Sequence, residues 1–218
     1  MEETKVALYE QFARVGKALA SPLRLMLLDV LAQGERSVED LAETVEAKLA
    51  NTSAQLQILR AAGLITSRRD GNRICYQLAS DDTSDLVDRL RDLAHQQLAD
   101  VDRAARSYLG EPDDIDTITP QELQQRLRDG TVILIDVRPK HEYHAGHLPH
   151  ARSLPVGDLQ ARLGELPADT EIVAYCRGPY CVLAPQAARF LTRHGHTARA
   201  LNTGYPQWKR AGLPTNAS

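Results

Sequence analysis

Residues 171–192 read Glu171-Ile-Val-Ala-Tyr-Cys176, then Arg177-Gly-Pro-Tyr-Cys181, then Val182-Leu-Ala-Pro-Gln-Ala-Ala-Arg-Phe-Leu-Thr192. The first six residues form a short apolar run, the pattern of a buried strand. Gly178 and Pro179 then break the chain. Val182, Leu183, Ala187, Phe190 and Leu191 recur at helical spacing. Cys176 therefore stands where a strand ends, and Cys181 where a helix begins. Such a loop turns several backbone N–H groups toward one spot beside a helix N-terminus, which makes an anion cradle. A thiol held there is expected to have a lowered pKa, because the donors stabilise its thiolate. The bland alternative is a pair of buried structural cysteines.

The N-terminal half has a different character. Leu8, Phe12, Val15, Ala18 and Leu19 predict an amphipathic helix. Ser21-Pro22 restarts the chain, with serine as N-cap and proline at the first helical position, ahead of an apolar helix over 23–31 closed by Gly34. Ser37 caps a helix over 38–45, with Asp40 three residues on in the manner of a capping box. A third helix follows from Asn51 to a C-terminal glycine at Gly63, burying Leu56, Leu59 and Ala62. Two short helices and a third read as a helix-turn-helix. Residues 64–69, Asp70-Gly71-Asn72 and 73–78 then read as a β-hairpin, Asp-Gly being a favoured turn. The sum is a winged helix. Leu86, Leu90, Leu93, Leu98, Val101, Ala105 and Tyr108 predict one long helix over 85–109. Its apolar stripe exceeds what a small domain needs, so a homodimer through this helix is expected. Gly110-Glu-Pro-Asp-Asp114 is a polar linker. The expected organisation is a DNA-binding and dimerisation domain at 1–109, a linker at 110–114 and a second domain at 115–218.

Composition sets bounds. The chain has 218 residues, enough for two small domains, and a formal charge of −3, which does not mark a bulk nucleic-acid binder but leaves room for a local basic patch. No apolar run approaches the roughly 20 residues of a membrane span. The acidic start, Met-Glu-Glu-Thr-Lys, lacks a signal-peptide core. Three cysteines do not make a disulfide framework, so a cytoplasmic location with reduced thiols is expected.

Two resemblances follow from these residues. Leu56-Gln-Ile-Leu-Arg-Ala-Ala-Gly-Leu64 and Arg69-Asp-Gly-Asn-Arg-Ile-Cys-Tyr-Gln-Leu78 resemble the ArsR family of small dimeric repressors, over about residues 8–109. Gln55 stands where that family commonly has histidine. The loop at Cys176 resembles the six-residue active-site loop of rhodanese-type sulfurtransferases. Ile133-Leu-Ile-Asp-Val-Arg138, Glu142-Tyr-His-Ala-Gly-His-Leu-Pro149, Leu201-Asn-Thr-Gly-Tyr-Pro-Gln-Trp208 and Ala211-Gly-Leu-Pro214 resemble further segments of that family, over about 114–215. His150 and Thr203 replace glycines usual there, and local backbone adjustment is expected. The fold class is thus multidomain, a mainly-α winged helix-turn-helix followed by an α/β rhodanese-like domain with a parallel sheet.

The expected DNA contacts are Asn51, Thr52, Ser53 and Gln55 at the start of the recognition helix, where side chains reach base edges. Arg68, Arg69, Asn72 and Arg73 at the wing join them, the arginines neutralising phosphates. The partner is a double-stranded DNA operator. In the second domain, Cys176 as thiolate would take the outer sulfur of thiosulfate or a persulfide and hand it to cyanide or a thiol acceptor. Arg177 would hold the donor's anionic end, with Gly178, Pro179, Tyr180 and Cys181 completing the substrate loop. Asp136 and Arg138 would brace the loop. Cys181 is either a resolving thiol or a small residue where loop meets helix. Cys75 reads first as a packing residue of the wing and second as a persulfidation target. No cofactor and no metal site are expected. His95, with Asp92 and Asp100 near it, offers too few ligands for zinc, and Gly146 and Pro149 keep His141, His144, His147 and His150 off a common helix face. A phosphatase or arsenate reductase of related fold would carry arginine where Val182 stands. The functional alternatives are a regulator that reads reactive sulfur, a sulfurtransferase whose winged helix serves dimerisation or targeting, and a catalytically dead binding module.

Overall fold

The computed structural model describes residues 2–110 and 115–217. Residues 111–114, most of the linker expected at 110–114, lie outside the described residues. The chain divides into two compact units, 1–93 and 94–218.

In the first unit, α1 (Glu2–Leu19), α2 (Pro22–Leu31), α3 (Val38–Thr44) and α4 (Leu49–Ala61) pack around Leu27, Leu28, Leu41, Leu56 and Leu59. Ser37 caps α3 as expected, its Oγ accepting from the Asp40 N–H at 3.1 Å. Ser21 sits at the N-cap of α2 with Pro22 behind it, but its side chain makes no capping bond. The expected turn is also shifted by one residue. Strands β2 (Ile65–Asp70) and β3 (Arg73–Leu78) pair with Asp70 opposite Arg73, so Gly71 and Asn72 are the central residues. Gly71 has φ +60° and Asn72 is not left-handed, the arrangement of a II′ turn with glycine first. A two-residue strand, β1 (Arg36–Ser37), joins the far side of β3, too short to leave a periodic signal.

The long helix expected over 85–109 is two helices. α5 (Asp81–Gln97) ends and α6 (Ala99–Leu109) begins at Leu98, whose φ −118° and ψ 103° are extended. No glycine or proline marks the break. Its support is electrostatic: Asp100 and Asp102 occupy the first turn of α6, where the helix dipole favours acids. His95, in the last turn of α5, meets Asp102 at 2.9 Å. The second unit therefore starts inside α5 and takes in all of α6.

The rest of the second unit is a five-stranded parallel sheet. Its strands are β4 (Thr117–Ile118), β5 (Val132–Asp136), β6 (Arg152–Ser153), β7 (Glu171–Cys176) and β8 (Ala198–Gly204), in spatial order β4-β8-β7-β5-β6. Helices α7 (Pro120–Arg128), α8 (Lys140–Ala145), α9 (Leu159–Arg162), α10 (Leu183–Arg193) and α11 (Tyr205–Arg210) alternate with them. β7 lies between β8 and β5 and is covered on both faces. Side chains alternate along a strand, so Ile172, Ala174 and Cys176 join the cluster containing Ala184, Ala187 and Leu191 of α10. Val173 and Tyr175 join the cluster containing Leu123 and Trp208 on the other side. No helix among the described residues is long and apolar enough to cross a membrane.

Candidate functional site

Cys176 is the last residue of β7, and the loop 177–182 carries the chain to α10. The loop is a tight turn: the Cys181 N–H donates to Gly178 O at 3.0 Å. Pro185 falls in the first turn of α10, where a missing N–H costs no helical bond. β8 sets the loop's floor. A Cβ on Gly204 would stand 2.2 Å from the Arg177 carbonyl carbon and 2.3 Å from the Gly178 nitrogen, so only glycine lets the loop lie this low. The Gly204 N–H donates to Gln207 Oε1 at 3.2 Å.

The thiols differ from the sequence-based expectation. Cys176 is 2 % exposed, and burial pushes its pKa well above the ordinary thiol value. The amides of Ala184 and Gly178 favour its thiolate but do not overcome burial and the neighbouring Cys181. The Cys176 Sγ lies 3.6 Å from the Cys181 carbonyl oxygen. Cys181 moves the other way, down to about 7, first through a hydrogen bond from Cys176 and then through the amides of Arg177 and Leu183. The anion cradle thus favours the first thiolate at Cys181, hydrogen-bonded to the Cys176 thiol. All three cysteines are free.

Arg177 is committed inward. Its Nη2 donates to Glu142 Oε1 at 2.6 Å and its Nε to both Glu142 oxygens at 3.1 Å, and Glu142 is fully buried. A guanidinium held this way anchors the loop to α8 rather than gripping a donor. Glu142 lies in a segment that resembles the family, yet nothing in its neighbours announces a partner 35 residues away.

Asp136 and Arg138 are buried on the opposite face from Cys176. Arg138 Nη2 donates to Asp136 Oδ2 at 2.6 Å and to Gly146 O at 2.7 Å. Burial works against the Arg138 charge, but the Asp136 carboxylate outweighs it and holds its pKa above the ordinary value. The Tyr175 hydroxyl donates to Asp136 Oδ2 at 2.5 Å and accepts from the Leu148 N–H at 3.1 Å. The pair therefore reaches the loop through Tyr175, the residue before Cys176. His147 stacks on Tyr143 at 3.8 Å, with Nδ1 2.9 Å from Tyr143 O. His150 takes the glycine-like φ of +65°, so the backbone keeps its course and the side chain bears the strain. Thr203 leaves a buried Oγ1 without a hydrogen-bond partner.

A cavity of about 530 Å³ opens beside Cys176. Gly178, Pro179 and Cys181 edge it from the loop, Ala184, Pro185 and Arg189 from α10, and Ala105, Arg106 and Leu109 from α6. Tyr180, expected in the substrate loop, turns to stack on His95, their centroids 5.8 Å apart.

At the winged helix, Asn51, Ser53 and Gln55 keep polar atoms at the surface of α4, but Thr52 does not. It shares the inward stripe with Leu56 and Leu59, is 0 % exposed, and its Oγ1 has no hydrogen-bond partner. Positions 52, 56 and 59 fall on one helix face, so Thr52, expected as a base contact, is buried and cannot reach one. Gln55 accepts from Arg24 at 2.6 Å and donates to Asn51 Oδ1 at 3.2 Å, which fixes both amides in advance. Arg68 is bound in a fork by Glu35, at 2.8 and 2.5 Å, so its charge is already answered. Arg69, Asn72 and Arg73 remain exposed at the wing. Cys75, half-buried on β3, is held protonated by burial first and by Glu35 next.

Known proteins resemble both halves. Residues 119–211 match the family model described as a rhodanese-like domain, and residues 19–68 match one described as a helix-turn-helix domain. The HTH-type transcriptional regulator Rv0324 of Mycobacterium tuberculosis is 47% identical over 214 residues, spanning 98% of this chain and 94% of that protein. A sulfurtransferase of Allochromatium vinosum is 36% identical over 103 residues, 46% of this chain and 94% of its own. Among solved structures, the homodimeric winged helix-turn-helix DNA-binding domain (fragment 1-100) of Mb0332 from Mycobacterium bovis is 46% identical. It covers 43% of this chain and 87% of that one, with a TM-score of 0.41.

Proposed function

The chain belongs to the family of ArsR-type winged-helix transcriptional regulators that carry a C-terminal rhodanese-like domain, and on that premise we propose that Cys176 takes up sulfane sulfur as a persulfide whose presence resets operator affinity. The observation that carries this reading is the placement of Cys176: a thiol at the carboxyl end of a central parallel strand, met by the amides of Gly178 and Ala184 and lining a cavity. In open α/β sheets that is where ligands bind.

The Cys176 proton passes to the neighbouring Cys181 thiolate. The Cys176 thiolate then attacks the outer sulfur of thiosulfate or a persulfide. A new S–S bond forms at Cys176, the old bond breaks, and sulfite or a thiolate leaves with the electron pair. The loop amides stabilise the persulfide's charge. A thiol acceptor attacking the outer sulfur restores Cys176. The lowered Cys181 pKa favours a second step as well: its thiolate attacks the inner sulfur, forms a Cys176–Cys181 disulfide and expels hydrosulfide.

On DNA, Asn51, Ser53 and Gln55 read base edges, and Arg69, Asn72 and Arg73 of the wing engage the backbone. Leu86, Leu90 and Leu93 of α5 and Leu8, Tyr9 and Phe12 of α1 are exposed apolar side chains at helical spacing. They suit a homodimer interface. A regulator of this kind works in the cytoplasm, beside the DNA.

The test titrates operator DNA against reduced and persulfidated protein, wild type and Cys176→Ser. A 5–150-fold change on loading, about 1–3 kcal/mol of coupling, is expected in wild type and absent in the variant. Equal affinities for loaded and reduced wild type refute sensing and leave a sulfurtransferase with a DNA-binding partner domain.

A further inference from the structure

The cavity beside Cys176 is larger and more apolar than a small inorganic dianion needs. Thiosulfate has five heavy atoms, whereas about 530 Å³ is the scale of pockets that enclose organic ligands, roughly 300–1,000 Å³. The walls are mostly apolar: Ala105 and Leu109 of α6, Ile115, Pro179, Pro185 and Leu201. The cation nearest the thiol in sequence, Arg177, is bound to Glu142. Positive charge lies instead on the cavity's α6 and α10 walls. Arg106 is exposed, and Arg189 spends one donor on Leu109 O at 3.3 Å. Besides the thiols of Cys176 and Cys181, the other ionisable groups at the wall among the described residues, His95 and Asp102, are paired with each other at 2.9 Å.

We infer that the sulfur donor is an organic persulfide with an apolar, ring-sized body and a carboxylate. The body fills the cavity, and the carboxylate meets Arg106 and Arg189. This rests on the persulfide reading of Cys176 and names its substrate class. The step balances without an oxidant. The Cys176 thiolate attacks the terminal sulfur of R–S–SH, the donor S–S bond breaks, R–S⁻ leaves with the electron pair and takes a proton from solvent, and Cys176 carries the persulfide. Because the cavity wall includes α6, the donor's body, and not the transferred sulfur alone, is what the protein recognises.

The experiment measures the second-order rate of Cys176 persulfidation by intact-mass spectrometry on the full chain. Three organic donors of like S–S chemistry are compared, the persulfides of 2-mercaptoethanol, benzyl thiol and 4-(mercaptomethyl)benzoate, with thiosulfate as a fourth. The expected order is benzoate, then benzyl, then 2-mercaptoethanol, with at least tenfold between the first and last. Ala105→Trp, which fills the cavity from α6, should bring that ratio within threefold. Arg106→Ala, at an exposed position that leaves Arg189 in place, should at least halve the advantage of benzoate over benzyl. Because each readout is a ratio between donors in one protein, a general loss of folding does not imitate it. Equal rates for the three organic donors, or ratios unmoved in both variants, overturn the substrate class while leaving persulfide chemistry intact. Absence of a Cys176 adduct from every donor, thiosulfate included, overturns both.

Discussion

Replacing Gly204 by alanine tests whether β8 shapes the reactive loop. The added Cβ would sit 2.2 Å from the Arg177 carbonyl carbon and 2.3 Å from both the Arg177 oxygen and the Gly178 nitrogen. Ordinary contact begins at 3.4 Å, so the loop and strand must separate by about 1.2 Å, the difference of those two distances. The obstructing atoms are backbone and cannot rotate away. Overpacking of this kind costs about 1–3 kcal/mol. The displacement falls on the residues next to Cys176, and a misplacement of about 1 Å at a reacting group costs on the order of 100-fold in rate. Urea unfolding followed through Trp208, which lies in the second unit, reads the first quantity. Cys176 persulfidation from thiosulfate reads the second. Loading within threefold of wild type together with stability within about 0.5 kcal/mol, below the overpacking range, would refute the claim that this strand fixes the loop.

Four further outcomes are expected. Iodoacetamide should label Cys181 with a midpoint near pH 7: the thiolate is the reactive form, so labelling rises with pH, from about a tenth of its plateau at pH 6 to about half at pH 7, while Cys176 lags to alkaline pH. Glu142→Gln should cost about 3 kcal/mol, the low end of the range for breaking a buried pair because Arg177 keeps some solvent contact, with loss of Cys176 loading; chemical denaturation checks it. Thr52→Val should leave operator affinity unchanged and raise stability by about 1 kcal/mol, since an unpaired buried hydroxyl is removed, whereas Asn51→Ala should weaken binding at specific sites. His150→Gly should stabilise by about 0.5–1 kcal/mol, as relief of left-handed strain exceeds glycine's extra chain entropy; a shift of the urea midpoint with unchanged slope is the readout.

The strand, break and helix around Cys176 were legible because each has a local cause: an apolar run, Gly178-Pro179, and a 3.6-residue period. The wing was legible for the same reason. What escaped depended on distant partners. Arg177 looked free until folding brought Glu142 beneath it. The Cys176 pKa was expected to fall on the strength of its donors, but burial, which the sequence does not report atom by atom, outweighs them. The break at Leu98 carries no glycine or proline, and an apolar stripe that runs through it reads as continuous. Thr52 looked polar and hence external, although its spacing to Leu56 and Leu59 held the contrary signal.

The alternation of β7 has a consequence for how this domain tolerates change in length. Tyr175 and Cys176 point to opposite faces, one tied to Asp136 and Arg138, the other open to the cavity. Removing or adding one residue within 171–176 would exchange the faces, driving a thiol into the charged network and a phenol toward the cavity. The strand is thus a ruler whose length admits no revision. Beyond Gly178 the chain lies on no ladder until α10 begins at Leu183, so insertions there leave both faces in place. Around Cys176, a change of length is therefore expected to be borne between Gly178 and α10, where it would reset the size of the anion the cradle can hold.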